Sequence, residues 1–191
     1  MQYKLTTPCT AEDLAPLKAG DTVLLSGVVY TARDQAHKRM LEALDKGEKL
    51  PFDLEGSAIY YVGPTPERPG EIIGSAGPTT SGRMDAMSPR LLDLGNKIMI
   101  GKGKRDAAVK EAVVRNGAVY LAALGGAGAL MAQSVKTLEV IAWPDLGCEA
   151  VRRLTVEDMP LTVILDAHGG DLYLSGPAAY KRQQSEVAKE L

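Results

Sequence analysis

Apolar and polar positions in the first half of the chain follow two different periods. Residues 22–30, 57–62 and 71–75 are short runs rich in β-branched and apolar residues, which is typical of strands. The first run contains a Ser-Gly pair, which predicts either two short strands or one bulged strand. Over residues 32–46, apolar side chains instead recur every three or four residues, so we predict a helix that ends at Gly47.

The second half of the chain alternates between the two periods. Strand-like runs cover residues 97–100, 118–124 and 138–143, and helix-like segments cover residues 106–115 and 127–135. Alternation of this kind predicts βαβ units and a partly parallel sheet. The sequence therefore indicates an α/β protein with a β-rich first half and a βαβ second half.

The two ends of the chain show weaker patterns. Residues 1–20 contain two prolines that break any periodicity, and we predict a polar arm there. Residues 162–166 and 172–174 are predicted to form a late hairpin or a pair of edge strands, and residues 177–191 a charged helical tail. A length of 191 residues suits a single core, so we expect residues 1–191 to be one domain.

Composition excludes several classes of function. The chain has 22 basic and 24 acidic residues and a net charge of −2, which argues against a general nucleic-acid binder. With one Trp, one Phe and seven Tyr, a base-stacking surface is not expected. No apolar run approaches the ~20 residues of a membrane helix, and residues 1–10 lack the apolar stretch of a signal peptide. We therefore expect a cytoplasmic protein in which Cys9 and Cys148 are free thiols.

Three polar clusters lie where a predicted strand is followed by a helix or a loop. The first covers residues 31–37, in which Arg33 and Asp34 stand at a helix start and His37 follows on the same face. Such a cluster can bind a ligand at the end of a strand. The alternative is a solvated first turn in which Asp34 is favoured by the helix dipole.

The second cluster covers residues 75–85, where three hydroxyl residues stand between Gly-Pro and Gly-Arg. Glycines let backbone N–H groups approach a ligand, and the hydroxyls of Thr79 and Thr80 with the guanidinium of Arg83 can hold an oxyanion. The alternative is a helix cap formed by one of the threonines, with Arg83 simply exposed.

The third cluster covers residues 101–106, directly after a predicted strand. Glycines on both sides leave Lys102 free to contact an anion, and the following helix start adds positive potential. A basic surface turn is the alternative. Together the clusters supply three cations, and the guanidinium groups of Arg33 and Arg83 match carboxylates bidentately. Since no catalytic carboxylate pair, Ser-His-Asp set or zinc spacing accompanies them, the sequence indicates half of a site for a small dicarboxylate.

Five segments, taken in order, resemble one known family. They are TARDQAHKR at 31–39, GPTTSGRMD at 77–85, IGKGKRD at 100–106, GGAGAL at 125–130 and LGCEAVRRLTVEDMP at 146–160. On these segments the chain resembles the C-terminal region of class I fumarases and the corresponding beta subunit of tartrate dehydratase. The resemblance covers nearly the whole chain, and GPTTSGRMD is its most specific part.

The resemblance implies a swivelling β/β/α domain that closes over a four-iron four-sulfur cluster. In such enzymes three thiolates bind three irons, and the fourth iron coordinates the substrate. Since this chain has only two cysteines, the resemblance implies that a separate alpha subunit binds the cluster and that no metal ligand lies in this chain. The chain would then be a beta subunit, assembled with the alpha subunit into an alpha2beta2 heterotetramer.

The resemblance also implies roles for individual residues. By motif, the residues that bind the dicarboxylate substrate are Arg33, Thr80, Arg83 and Lys102. Thr79 would accept the proton in malate dehydration, although a Thr hydroxyl needs neighbouring cations or a relay to act as a base. His37 would orient the loop that carries Arg33.

The activity implied is the reversible hydration of fumarate to L-malate, which requires the alpha subunit. Dehydration of L-tartrate is the alternative, because a single residue that receives the second hydroxyl could decide between the two substrates. A non-catalytic module that binds dicarboxylates is the alternative from a different class of function.

Overall fold

Seven strands and six helices make up the part of the chain that the computed structural model describes, which is the backbone of residues 1–190 and the side chains of residues 1–181. The strands are β1 (Gln2–Thr6), β2 (Thr22–Thr31), β3 (Ala58–Tyr60), β4 (Ile98–Gly101), β5 (Val119–Ala122), β6 (Val135–Ala142) and β7 (Val151–Leu165). The helices are α1 (Ala11–Leu14), α2 (Asp34–Asp45), α3 (Ser88–Asp93), α4 (Ala107–Arg115), α5 (Gly128–Gln133) and α6 (Leu172–Glu190). Two 3-10 turns cover Ser81–Met84 and Pro144–Glu149.

All seven strands belong to one sheet, in the order β1-β2-β3-β4-β5-β7-β6. Strands β1 to β5 run parallel to their neighbours, whereas β7 runs antiparallel to β5 and β6. Strand β7 has 15 residues, and it pairs with β2 as well. The strands β2, β3, β4, β5 and β7 therefore form a closed circuit of hydrogen-bonded neighbours. This architecture confirms the predicted α/β class and the partly parallel sheet.

Alternate residues of the parallel strands point into two separate cores. On β3, Ala58 and Tyr60 join a core to which all five strands of the circuit contribute, so this core fills the interior of the circuit. Ile59 and the following Tyr61 point the other way and pack with residues of helices α2, α3 and α4. The parallel strands are thus buried on both faces, which explains their near-continuous apolar sequences.

Strand β2 and helix α2 agree with the sequence patterns. Strand β2 is one bulged strand, since its register against β7 shifts between Leu25 and Gly27. In α2 the buried residues Ala36, Met40 and Ala43 are spaced by three or four, as an amphipathic helix requires. Gly47 follows with φ +70°, a conformation that glycine adopts without a steric cost.

Residues 1–20 do not form the predicted polar arm. Strand β1 pairs in parallel with β2, and Cys9, Leu14 and Leu17 are buried in the core of the circuit. The two prolines of this segment lie in the connections after β1 and after α1, so they interrupt the pattern without preventing either element. The segment is part of the sheet because its apolar side chains are buried in the same core as those of the other strands.

Residues 71–75, predicted as a strand, form an irregular loop instead. The N–H of Ser75 donates to Oγ1 of Thr65 over 2.8 Å, and the N–H of Thr65 donates to the carbonyl of Ser75 over 3.1 Å. These two bonds close the loop on itself and leave the segment without a strand partner.

The C-terminal region also differs from the prediction. Residues 172–174 begin helix α6 and are not an edge strand, whereas residues 162–165 are the end of β7 and pair with the interior strand β5. Residues 177–190 are helical as predicted, and Leu191 lies outside the described residues. None of the helices α1 to α6 is long and apolar enough to span a membrane.

Candidate functional site

All three predicted clusters lie at one edge of the sheet. Strands β2, β3 and β4 are parallel, so their carboxyl ends meet at this edge, where ligands of α/β proteins commonly bind. The first cluster follows β2 and the third follows β4. Backbone hydrogen bonds hold the second cluster at the same edge. The N–H of Thr79 donates to the carbonyl of Tyr61 and the N–H of Ser81 donates to the carbonyl of Lys102, each over 2.8 Å.

Arg33 occupies the N-cap position of α2, although its side chain makes no capping hydrogen bond. The cap is supplied by Glu149, whose Oε2 accepts the N–H of Gln35 over 2.8 Å from 114 residues along the chain. Oε1 of the same carboxylate lies 3.4 Å from Nη2 of Arg33. The arginine crosses Gly63 so closely that any Cβ there would collide with its guanidinium. Glu149 and Gly63 together fix where Arg33 lies.

Asp34 lies between two arginines. Its Oδ1 is 2.7 Å from Nε of Arg83, and its Oδ2 is 3.8 Å from Nε of Arg33. Neither contact has the geometry of a hydrogen bond, and the two atoms of the longer contact are buried without a hydrogen-bond partner in the described structure. The side chain of Arg83 is 50% exposed, so this cation remains accessible.

The hydroxyl cluster is held by its backbone and by Ser81. Ser81 Oγ accepts a hydrogen bond from the N–H of Lys102 over 3.0 Å and another from the hydroxyl of Tyr120 over 2.9 Å. Thr80 is the N-cap of the 3-10 turn, yet its side chain makes no capping bond. Within residues 1–181, the hydroxyls of Thr79 and Thr80 make no hydrogen bond. The capping alternative therefore does not explain why these two threonines are present.

A buried ion pair, which the sequence did not reveal, supports the hydroxyl cluster. The side chain of Arg105 has no exposed surface, and its Nε lies 2.6 Å from Oδ1 of Asp85. Nη2 donates to Oγ of Ser88 over 2.9 Å, and the guanidinium lies over the rings of Tyr61 and Tyr120, at 5.4 and 5.0 Å from their centroids. Asp85 follows the 3-10 turn and Arg105 precedes α4, so this buried pair connects the second cluster to the third.

His37 is completely buried, and this burial lowers its pKa to about 4. The neutral ring places Nδ1 3.0 Å from the carbonyl of Arg33, to which it donates, and its edge meets the ring of Tyr61 at 5.3 Å. Nε2 is buried without a partner among the residues described. The contact with the carbonyl supports the orienting role predicted for His37, which stays a prediction.

The cysteines do not fit an iron–sulfur cluster. Both are free, as predicted: Cys9 is buried with its pKa raised to about 11, chiefly by burial, and Cys148 is exposed. Two thiols fall short of the three thiolates that such a cluster needs. Among the residues described, no group of three or more His, Cys, Asp or Glu side chains could hold a metal ion.

The candidate site is an open surface. Three clefts of about 420, 550 and 620 Å³ lie beside other parts of the chain, and Ser75 is the one residue of the three clusters that lines any of these clefts. Thr80, Lys102 and half of Arg83 face solvent. An exposed set of cations and hydroxyls can bind an anion but does not enclose it, which agrees with half of a site.

Comparison with known proteins gives a consistent result. Residues 1–176 match the family model described as the fumarase C-terminus. The chain is 42% identical over 170 residues to a Methanocaldococcus jannaschii protein provisionally named L(+)-tartrate dehydratase subunit beta, covering 86% of this chain and 87% of that protein. It is 31% identical over 196 residues to the L(+)-tartrate dehydratase subunit beta of Escherichia coli, covering 100% and 96%.

A second group of relatives is larger than this chain. The similarity to the aerobic class I fumarate hydratase of Escherichia coli is 40% identity over 151 residues, or 78% of this chain. The chain spans only 28% of that protein's length.

Proposed function

Since the chain belongs to the family of the fumarase C-terminus, we propose that it supplies half of the active site of a hydro-lyase that hydrates fumarate to L-malate. The observation that carries this proposal is the convergence of Arg33, Arg83 and Lys102 with two free threonine hydroxyls at one sheet edge. Cations in this number suit a ligand with two carboxylates.

The proposed task of the three cations is to bind and polarise the substrate. A guanidinium matches a carboxylate through two parallel N–H donors, whereas Lys102 acts as a point charge. In the reverse direction, dehydration of L-malate, the C–H proton next to a carboxylate is removed, and negative charge accumulates on that carboxylate until the hydroxyl group leaves as water. Cations already in place stabilise this charge without reorganising, which lowers the barrier.

Thr79 is proposed to accept or relay that proton. Its hydroxyl makes no hydrogen bond to the residues described, and its backbone is fixed by the bond to Tyr61. A Thr hydroxyl is a weak base, so the role depends on nearby positive charge that stabilises the alkoxide form. Arg83, four residues further on, is the nearest cation along the chain and is partly exposed.

The remaining components are proposed to come from another chain. Because Cys9 and Cys148 do not fit a four-iron four-sulfur cluster, we place that cluster in a separate alpha subunit, with the two chains forming an alpha2beta2 heterotetramer. The names of the tartrate dehydratase relatives, which are those of beta subunits, support this arrangement. The swivelling motion and the cytoplasmic location stay predictions.

Dehydration of L-tartrate is the second candidate activity, and a specific observation favours it. The chain covers 87% and 96% of the two tartrate dehydratase beta subunits, but only 28% of the fumarate hydratase. A non-catalytic dicarboxylate-binding module is less well supported, because it would not need free hydroxyls beside its cations.

Co-purification tests the proposal. The chain is expressed with a three-cysteine alpha subunit, iron is restored anaerobically, and fumarate, L-malate and L-tartrate are assayed. We expect turnover of fumarate and L-malate by the pair and none by the isolated chain. Turnover of tartrate alone would select the second activity. Failure on all three substrates, despite a loaded cluster and a stable complex, would contradict a hydro-lyase role.

A further inference from the structure

Arg33 and Arg83 differ from the other paired arginines of the chain in how they use their N–H groups. Each lies near a carboxylate, but within the described side chains neither guanidinium makes a hydrogen bond. Arg39, on the same helix as Asp34, donates through Nη1 to Asp145 over 2.9 Å and through Nη2 as well. Acidic neighbours therefore compensate the charge of the two site arginines without forming hydrogen bonds to their Nη groups.

This arrangement is unusual because Arg33 is largely buried. Its side chain is 18% exposed, and its Nε has no hydrogen-bond partner in the described part of the chain. Buried N–H groups normally find a partner, since an unpaired one costs roughly 1–3 kcal/mol. The fully buried Arg105 follows that rule through Asp85, Ser88 and the sulfur of Met99. Nη1 and Nη2 of Arg33 also have no hydrogen-bond partner among the described residues, but they are not buried, so they are the donors that a ligand can satisfy.

Asp34 is the residue that connects the two site arginines. It opens helix α2 directly after Arg33, and its side chain is 20% exposed. Its ion pair with Nε of Arg83 at 2.7 Å joins the 3-10 turn of the second cluster to the N-terminus of α2. This ion pair is the one polar contact of the Arg83 side chain within the described residues. Without it, the half-exposed arginine would sample many rotamers.

We propose that Asp34 is a positioning residue: its carboxylate holds Arg83 beside Arg33 through Nε and leaves the Nη groups of both arginines for the two carboxylates of the substrate. This inference rests on the proposed function of the site, which it deepens by assigning the element that makes the two arginines act together. Asp34 itself does not contact the substrate.

The proposal predicts an effect that simple electrostatics does not. Replacing Asp34 by Asn removes a negative charge next to two cations, so attraction of a dianion should become stronger. If charge alone mattered, KM would fall and kcat would stay the same. If Asp34 positions Arg83, kcat should fall about tenfold or more because the transition-state contacts are misplaced, while KM changes less than threefold.

The first test is a double-mutant cycle in the assembled, iron-loaded enzyme. Asp34→Asn and Arg83→Ala are measured singly and together, with Asp145→Asn as the matched control because Asp145 pairs with Arg39 of the same helix. We expect Asp34→Asn to have no further effect in the Arg83→Ala background and the control to keep normal kinetics. Additive losses, or an Asp34→Asn variant with unchanged kcat, would overturn the proposal.

A second measurement separates this proposal from the proposed function. In the full chain alone, the Nε–H signal of Arg83 is followed by 15N NMR, which requires no turnover. We expect a distinct, ordered signal in the native chain, its collapse to the value of a free arginine in Asp34→Asn, and no change in Asp145→Asn. If the enzyme proves inactive but this pattern holds, only the function fails. If Asp34→Asn leaves the Arg83 signal unchanged, the positioning role of Asp34 is wrong.

Discussion

Removal of the Asp85 carboxylate is the sharpest test of how the site is supported. The guanidinium of Arg105 has no exposed surface, and Asp85 is its only anionic partner among the described residues. Breaking a buried ion pair from one side leaves an uncompensated charge and typically costs about 3–5 kcal/mol. Asp85→Ala should therefore lower the free energy of unfolding by an amount in this range. The substitution also removes a second contact, because Oδ2 of Asp85 accepts the N–H of Asp106 over 2.7 Å.

The measurement is urea denaturation of the full chain, followed by the fluorescence of Trp143, the only tryptophan. Asp93→Ala is the matched control, because Asp93 pairs with Arg115 in an exposed contact that water screens, and its loss should be far smaller. Adding Arg105→Met to Asp85→Ala should recover much of the loss, because the stranded charge is then gone. If Asp85→Ala costs no more than the control, or if the double variant recovers nothing, the buried pair does not support the turn.

Three further predictions concern the active complex and the pH dependence of the fold. Lys102→Ala should lower kcat/KM by about 30-fold or more, as expected for a lost charged contact of about 2 kcal/mol, while Lys104→Ala in the same turn should not. Thr79→Val keeps the side-chain shape, so kcat should fall by at least ~100-fold with thermal stability unchanged; a normal rate in a less stable complex would contradict the proton-transfer role. Because burial holds the pKa of His37 at about 4, below its ordinary 6.5, the unfolded chain binds the extra proton between these values. Unfolding titrations should show stability falling as pH drops from about 6.5 to 4, by up to about 3 kcal/mol, and His37→Gln should remove this slope.

The sequence predicted best those elements whose period is set by a single buried face. Helix α2 shows this, with Ala36 and Met40 fully buried at a helical spacing. Strand β7 was recognised only in its last residues, because Glu157, Asp158 and Pro160 interrupt the apolar run in its middle. Asp158 has φ +46°, so the backbone departs from the extended conformation at this residue while the strand continues on both sides. No short-range sequence pattern reveals such a local irregularity.

The candidate site was predictable in its ligand-facing residues but not in its supports. Arg33 and Lys102 follow the ends of apolar strand-like runs, and Lys102 stands between two glycines, a local signal that the sequence displays directly. The support from Glu149 depends on a contact that spans 114 residues, and only the folded chain shows it. The tertiary arrangement, and not the motif, decides which carboxylate lies beside which arginine.

The pairing of β7 with β2 also has a consequence for synthesis of the protein. Thr22 lies opposite Thr162, and Thr31 lies opposite Arg152, so the circuit joins segments made at opposite ends of translation. Such distant contacts are slow to form, since the entropy of closing the intervening chain must be lost first. Until the last residues of β7 leave the ribosome, β2 has an unpaired edge that can associate with other nascent chains. We therefore expect ribosome-bound chains that stop before residue 151 to depend on chaperones and chains that extend well past residue 165 to fold without them.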